Sequence, residues 1–550
     1  MDQRAKDLIK QGNYLFEKRT SLLSLWQEIA DNFYPERADF TVVRNLGSEF
    51  ADNLMTSYPV MARRDLGNSF ASMLRRDDWF SLRAEEEARE DNRARRWMEW
   101  AGGVQRRAMY DRSSKFVRAT KEGDHDFAAF GQCVISVELN RNADGLLYRC
   151  WHLRDVAWAE DAEGEVSEVH RKWKPRARDL AAIFGEKNLS DKVKEKLEKE
   201  PHCEVQCRHV VIPSEHYTAP AGKQWNTPYV SVYVDVDNNH IMEEVGLFNK
   251  MYVIPRWQTV SGSQYAYSPA TVTALPDARL IQAMSRVLLE AGEKATNPPM
   301  LAVQEALRSD VSIYAGGITW VDSEYDERLG EVLRPLTQDK NGIPLGMEMQ
   351  QDTRQMIAEA FYLNKLTLPM NSGDMTATEV SQRVQEYIRQ ALPIFQPMEY
   401  EYNGGLCELT FDILMRAGAF GAEDDIPDSL RGADVQFKFQ SPLQEAVDRE
   451  KGARFAEASQ MLATAAQMDP AATVQVDTNI ALRDALEGIG VPAKWMRTEE
   501  AAEQLAKQMQ QAQQAQQAEK MAQDIADTAQ VGEQAGKAGV AIAEATERLS

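Results

Sequence analysis

Residues that could do chemistry are few and dispersed along this chain of 550 residues. His202, Cys203, Cys207 and His209 are donor types that bind zinc. In an extended strand Cys203 and Cys207 share a face but lie about 13 Å apart, too far for one ion unless the backbone bends. A half-buried strand with incidental thiols accounts for the same spacing. Asp124-His125-Asp126 offers an acid–imidazole pair, yet spacing places no nucleophile beside it. Gly67-Asn68-Ser69-Phe70-Ala71 lacks the second glycine of a nucleophile elbow and falls within a helical pattern, without the strained strand-to-helix turn. Gly222-Lys223 is followed by Gln224, and Gly536-Lys537 by Ala538, so neither completes a P-loop. No H-E-x-x-H occurs, and no compact set of acids stands at metal spacing. No catalytic residue, metal or cofactor is expected, and a conventional P-loop ATPase is excluded. Trp97, Trp100, Trp151, Trp158, Trp173 and Trp257 are expected in the core or in subunit contacts, since no basic groove for base stacking accompanies them.

The elements that would position such residues belong to a large globular chain. Apolar residues make up 43% of it, enough for one or more large cores. The formal net charge is −22, with 85 acids against 63 bases. That balance argues against tight binding of DNA through its phosphates, and leaves room for a surface past which DNA slides. Five scattered cysteines suit a reducing compartment and no disulfide framework. No apolar run approaches the ~18 residues of a membrane span. The N-terminus lacks the apolar stretch of a signal peptide, so the chain is expected to be soluble inside a cell.

Periodicity predicts helices over 3–34, 48–75 (with Met61, Leu66, Phe70 and Leu74 inward) and 90–130. From 134 to 267 the pattern turns to strands, with hairpin chemistry at Asn142-Ala143-Asp144-Gly145 and a helical insert near 177–199. Helix is predicted again over 276–296 and stops at Asn297-Pro298-Pro299. Short strands follow at 300–303, 318–321 and 332–336, then a helix over 345–363. The polar loop Asn371-Ser372-Gly373-Asp374 leads to a capping box, Thr376 with Glu379, and a helix interrupted by Pro393 and Pro397 and ending at Gly418. Beyond an acidic linker at 423–427 the chain is alanine-rich and helical. Over 501–520 it is rich in Gln and Ala, a helix that either packs against copies of itself or frays.

The order of these segments resembles the portal proteins, or head-to-tail connectors, of tailed bacteriophages, in particular the short-tailed group. The residues that carry the resemblance are Trp26 to Ala30 through Tyr34-Pro35-Glu36-Arg37, Asp78 to Leu82, Phe130-Gly131-Gln132-Cys133, Ser268-Pro269, Asn297-Pro298-Pro299 and Thr376 to Val380. It covers about residues 10–420; the rest matches only in being helical. The resemblance implies an α+β, predominantly helical subunit with wing, stem, clip and crown, assembled as a ring of twelve around a central channel. Residues 1–275 would form the wing, 276–296 and 345–363 the two stem helices, and 297–344 the clip. Residues 364–375 would form the tunnel loop, 376–420 a long kinked wing helix, 421–500 the crown and 501–550 a terminal helix able to form a barrel.

On that resemblance the ring sits at one capsid vertex of the virion, is made in the host cytoplasm, and conducts double-stranded DNA during packaging and ejection. Its partners would be the terminase, a tail adaptor protein, and the major capsid and scaffolding proteins. Asn364, Lys365, Asn371, Ser372 and Asp374 would line the channel. Lys365 would offer a weak phosphate contact, against a solvated lysine or an intersubunit salt bridge. Arg308, Asp322, Glu324 and Lys340 of the clip would meet the adaptor or terminase, and the two cations there serve DNA or an acidic partner equally well. Two rival readings stand beside this one: a scaffold or tail component without a channel, and a nucleic-acid enzyme, for which clustered metal-binding acids are missing.

Overall fold

The computed structural model describes residues 2–44, 54–75, 78–85, 91–220, 224–302, 342–366, 398–422, 425–432, 435–439, 455–464 and 477–488, with isolated shorter pieces elsewhere up to 516. Helices α1 (Gln3–Lys18), α2 (Thr20–Phe33) and α3 (Tyr58–Leu74) open the chain, followed by β1 (Phe80–Ala84), α4 (Asn92–Met109) and α5 (Phe116–Phe130). Strands β2 (Val134–Leu139), β3 (Leu146–Trp151), β4 (Val156–Glu160) and β5 (Val166–Trp173) precede α6 (Ala177–Phe184) and α7 (Asp191–Lys199). Then come β6 (Cys207–Pro213), β7 (Tyr229–Asp235), β8 (His240–Leu247) and β9 (Tyr252–Val253). Helix α8 (Pro269–Thr296), strands β10 (Met300–Ala302) and β11 (Leu333–Pro335), and helices α9 (Gly342–Ala360) and α10 (Leu363–Leu366) follow. A π-helical turn (Met398–Gly404), α11 (Gly405–Arg416), β12 (Val435–Phe439) and the helix Thr478–Gly488 lie further along the chain. The class is α+β.

The chain divides into two compact units. The larger holds residues 1–80, 104–420 and 439–446; the smaller holds 81–103, 421–438 and 447–550. In the larger unit β4-β5-β6-β7-β8 form an antiparallel five-stranded sheet and β3-β2-β9 a three-stranded one. Strand alternation decides what covers the first sheet. Val210, Ile212, Val230, Val232 and Val234 meet Ala5 and Leu8 of α1, while Cys207 and Met242 meet Leu180 and Phe184 of α6 and Val193 of α7. In the smaller unit β1 pairs with β12.

Several boundaries differ from the sequence expectation, each for a tertiary reason. The helix expected over 3–34 breaks at Arg19 (φ −100°, ψ 12°). The buried Arg19 guanidinium donates to the carbonyls of Leu153 at 2.6 Å, Val156 at 2.7 Å and Arg154 at 2.5 Å. Burial pulls its pKa down to about 10. The helix expected over 90–130 is two, parted at 110–115, where Lys115 takes a left-handed φ of 60° and the Ser114 carbonyl accepts from the Tyr148 amide of β3. Met61, expected inward, is 45% exposed on α3, while Leu66, Phe70 and Leu74 are buried as expected.

Candidate conduit hairpin and its anchorage

Helix α8 begins where Ser268 accepts from the Thr271 amide and Pro269 occupies the first turn, where its missing N–H costs nothing. It therefore starts seven residues before the expected position, and Pro276 lies inside it. The capping hydroxyl also donates to the Ala128 carbonyl at 2.8 Å, and Thr271 Oγ1 to that of Ala129 at 2.7 Å. The helix start is thereby tied to the end of α5. Gln282 Oε1 accepts from the Met55 amide at 2.7 Å and the Thr56 amide at 3.0 Å, and its Nε2 donates to the Thr56 carbonyl at 2.9 Å.

Helix α9 returns antiparallel along α8. Gln350 Nε2 donates to Ser285 Oγ at 2.7 Å, and three residues further along α8 Leu288 lies over Gly346; a Cβ there would stand 2.8 Å from the Leu288 Cδ2. Ala278, Ile281 and Ser285 of α8 are buried, as are Thr353 and Ile357 of α9. Around Leu288 and Gly346 the outward faces carry open apolar side chains: Val287 is 64% exposed, Leu289 58%, Leu345 60% and Met347 61%. At the far end β10 pairs antiparallel with β11, Met300 opposite Pro335.

The near end of α9 stops abruptly. Phe361, fully buried, meets Phe33 of α2 at 5.3 Å, and Tyr362 adopts a left-handed φ of 57° beside Trp257. The chain then makes the short α10, which carries Asn364, exposed, and Lys365. Adjacent in sequence, these two occupy one helical turn. Asn371, Ser372 and Asp374 lie outside the described residues, as do Arg308, Asp322, Glu324 and Lys340, the Thr376–Glu379 capping box, Pro393 and Pro397.

Three polar networks that periodicity does not reveal brace this region. From α5, Asp124, His125 and Asp126 turn to different partners. Asp124 takes Arg75 Nη2, and Arg75 Nη1 donates to Asn403 Oδ1 of the π-helical turn at 3.1 Å. Burial opposes the Arg75 charge, but Asp124 outweighs it and holds the guanidinium above its ordinary pKa. Asp126 is gripped by Arg37 through Nε at 2.9 Å and Nη2 at 2.8 Å, which raises the Arg37 pKa despite its burial. His125 Nδ1 accepts from Arg63 at 3.0 Å, and burial together with that cation lowers the imidazole to about 4. With its acids paired elsewhere, the triplet is a structural fan rather than a proton relay. Ser69 Oγ donates to the Leu66 carbonyl within α3, at 2.6 Å.

Of the suggested zinc donors, Cys203 and Cys207 share one apolar cluster, and His209 is committed to other partners. His209 is fully buried in β6 with Nδ1 at 2.5 Å from the Tyr252 hydroxyl and Nε2 at 2.8 Å from Ser231 Oγ. Cys207 packs beside Val205 and Met242 in the apolar layer under α6 and α7. Burial drives the His209 pKa well below its ordinary value. Trp158 is buried and Trp97 nearly so, whereas Trp100 is 45% exposed.

This hairpin, anchored at one end and carrying exposed apolar side chains on its outer faces, belongs to a chain with known relatives. The family model for the bacteriophage head to tail connecting protein matches residues 5–496. The chain is 25% identical over 457 residues to a probable portal protein of Bordetella phage BPP-1, covering 80% of this chain and 79% of that one. It is 23% identical over 522 residues to the portal protein of Salmonella phage epsilon15, covering 92% and 91%. Among solved structures, a chain in the virion of a native gene transfer agent particle matches 78% of this chain and 94% of its own length, at 8% identity. Its TM-score is 0.30, too low to bear on the fold. The match across residues 5–496, carried by relatives of nearly equal length, places this chain in the bacteriophage head to tail connecting protein family, the family of the phage portal proteins.

Proposed function

We propose that this chain is one subunit of a closed ring, with twelve copies as the expected number, set at one vertex of a short-tailed phage capsid. Its work is mechanical rather than catalytic. The ring conducts double-stranded DNA inward during packaging and outward during ejection. It docks first the terminase, then the tail adaptor protein, and it joins the major capsid and scaffolding proteins. In this reading α8 and α9 are the stem, the segment between them the clip, and the segment after α9 the tunnel loop with Asn364 and Lys365 at its start. Asn371, Ser372 and Asp374 continue the loop; Arg308, Asp322, Glu324 and Lys340 serve the clip.

The observation that carries the reading is the α8–α9 hairpin. Its inner seam is closed by Ser285 with Gln350 and by Leu288 over Gly346, while Val287, Leu289, Leu345 and Met347 face outward. Exposed apolar side chains of that size, on both helices of one hairpin, fit a surface covered by neighbouring copies. A helix of 28 residues rises about 42 Å, enough for the wall of a tube around duplex DNA. The net charge of −22 favours sliding, because a surface that does not displace the counterions of DNA does not hold it. No described helix is long and apolar enough to cross a membrane, in keeping with a place in the capsid.

Electron microscopy of the purified chain, viewed down the symmetry axis, tests the reading. Rings with an axial hole wide enough for a duplex of roughly 20 Å are expected. A closed assembly without an axial channel would overturn it in favour of a scaffold or tail component.

A further inference from the structure

Two surfaces of the larger unit differ in charge and lie toward opposite edges of the three-stranded sheet. The first spans the end of α4 and the start of α5. Within residues 107–122, Arg107, Arg112, Lys115, Arg118 and Lys121 face only two acids, Asp111 and Glu122. Among the described residues, Arg118 alone of these cations is held in an ion pair, with Glu122 at 3.1 Å. Tyr110 and Val117 stand among them, 44% and 59% exposed. In a chain with a net charge of −22 this stretch is a local reversal of sign. It lies beside β3, through the hydrogen bond from the Tyr148 amide to the Ser114 carbonyl at 2.8 Å.

The second surface is a groove of about 580 Å³ beside β9, on the other edge of that sheet. Four carboxylates line it, Glu165, Glu401, Glu408 and Asp412, against two cations, Lys250 and Arg256. Both cations are already occupied: Lys250 by Glu165 at 3.1 Å, and Arg256 by Glu160 and by Glu401 at 3.5 Å. Asp412 is held by Arg416 at 2.9 Å, whose guanidinium also stands over the Phe248 ring at 3.9 Å, while Glu408 feels the like charge of Glu165 and has no ion pair among the described residues. Phe248 and Tyr400 flank the groove, 51% and 67% exposed, which is unusual for aromatic side chains of that area.

We propose that the occupant of this groove is the basic surface of a second copy of this chain, the 107–121 stretch of one subunit entering between Phe248 and Tyr400 of its neighbour. The proposal rests on the ring reading and names one of the contacts that closes the ring. Charge is complementary, since cations without an ion pair among the described residues meet Glu408, the groove carboxylate likewise without one. Each surface brings exposed apolar side chains that the other would cover. The order β3-β2-β9 puts the two toward opposite edges of that sheet. Two unlike surfaces on opposite edges give a heterologous contact, which propagates head to tail and closes when the rotation per subunit allows. A two-fold dimer would need one self-complementary surface instead.

The test is charge reversal in the full-length protein, read by the mass distribution in solution and by electron microscopy. Arg112→Glu with Lys115→Glu reverses the first surface; Glu408→Lys with Asp412→Lys reverses the second. All four side chains lie at the surface or the groove rim, so the fold is retained, and circular dichroism checks this. Each pair alone is expected to lower the fraction of chain in rings by about tenfold or more at low salt. All four changes together restore it, as does mixing the two defective proteins, since each then offers the surface the other needs. The interface is overturned if either pair alone assembles like wild type, or if the fourfold variant stays as defective as the pairs. A wild-type chain that forms no closed assembly overturns the ring reading as well, which separates the two failures.

Discussion

Arg75, at the C-terminus of α3, is hydrogen-bonded to Asp124 of α5, and both side chains are sealed from water. The same guanidinium reaches Asn403 at 3.1 Å, and Asn403 lies more than three hundred residues further along the chain. One cation therefore joins three elements that nothing in the local sequence connects. Removing one member of a buried pair leaves the other charge without compensation and costs about 3–5 kcal/mol. Arg75→Met is expected to lose that much in urea unfolding followed by tryptophan fluorescence. Arg75→Met with Asp124→Leu should recover a large part of the loss, because an apolar pair leaves no buried charge.

Arg19 gives a sharper test, since its role depends on the shape of the guanidinium. It serves three carbonyls at once, which the single ammonium of lysine cannot reach together. Arg19→Lys should destabilise by about 2–4 kcal/mol, close to the cost of Arg19→Ala, and urea midpoints would show the two variants side by side.

At Gly131 the objection to any side chain is double. The residue has a φ of 73°, and a Cβ would stand 2.1 Å from the Tyr267 carbonyl carbon. Since the neighbour is backbone, it cannot swing aside. Gly131→Ala is expected to cost about 3 kcal/mol or more and to make the junction of α5 and β2 the first site cut in limited proteolysis.

His125 ties stability to pH with a definite sign. Its folded pKa is lowered to about 4 from 6.5, first by burial and then by Arg63. Between those values the unfolded chain binds the proton and the folded chain does not, so stability rises with pH across the window. The contribution is complete above 6.5 and is lost as pH falls toward 4. The ring is partly exposed, so the shift is discounted for solvent screening to about 1 kcal/mol. Other carboxylates titrate in the same range, and the readout is therefore a difference. Unfolding free energies of wild type and His125→Gln should converge between pH 6.5 and pH 4, and parallel curves would contradict the assignment.

On the α8–α9 hairpin, Val287→Asp or Met347→Asp places a charge on a face that is open in the single chain. Folding of the chain should be unchanged by circular dichroism, while assembly into closed rings should fall steeply, as seen by mass distribution. Retention of rings by both variants would show that this face is not the covered one.

Local chemistry was readable wherever a residue acts on its own backbone. The hairpin of β2 and β3 forms around Asn140 to Gly145, with Val134 opposite Trp151. Gly418, at φ 73°, ends α11 with its amide on the Met415 carbonyl at 3.0 Å. Contacts between distant segments were not readable. The break at Arg19 depends on carbonyls more than a hundred residues away, and no glycine or proline marks it. Pro276 reads as a boundary because proline disrupts helices, yet the buried Ala274, Leu275 and Ala278 hold the helix through it. Of the candidate channel residues, Asn364 and Lys365 take a helical turn because Phe361 pins the end of α9 against Phe33, an aromatic contact with no signature in spacing.

Pro276 also has a mechanical consequence. Its missing N–H leaves the Val272 carbonyl without the usual rung, so α8 has one weak point along its length. Before it, Ala270, Thr271 and Ala274 are clamped in the core; after it, the helix continues toward its open apolar face. A sideways load at the far end of α8 would be taken up at that rung first. The compliance is written in a covalent bond, so neither ionic strength nor acidity can move it.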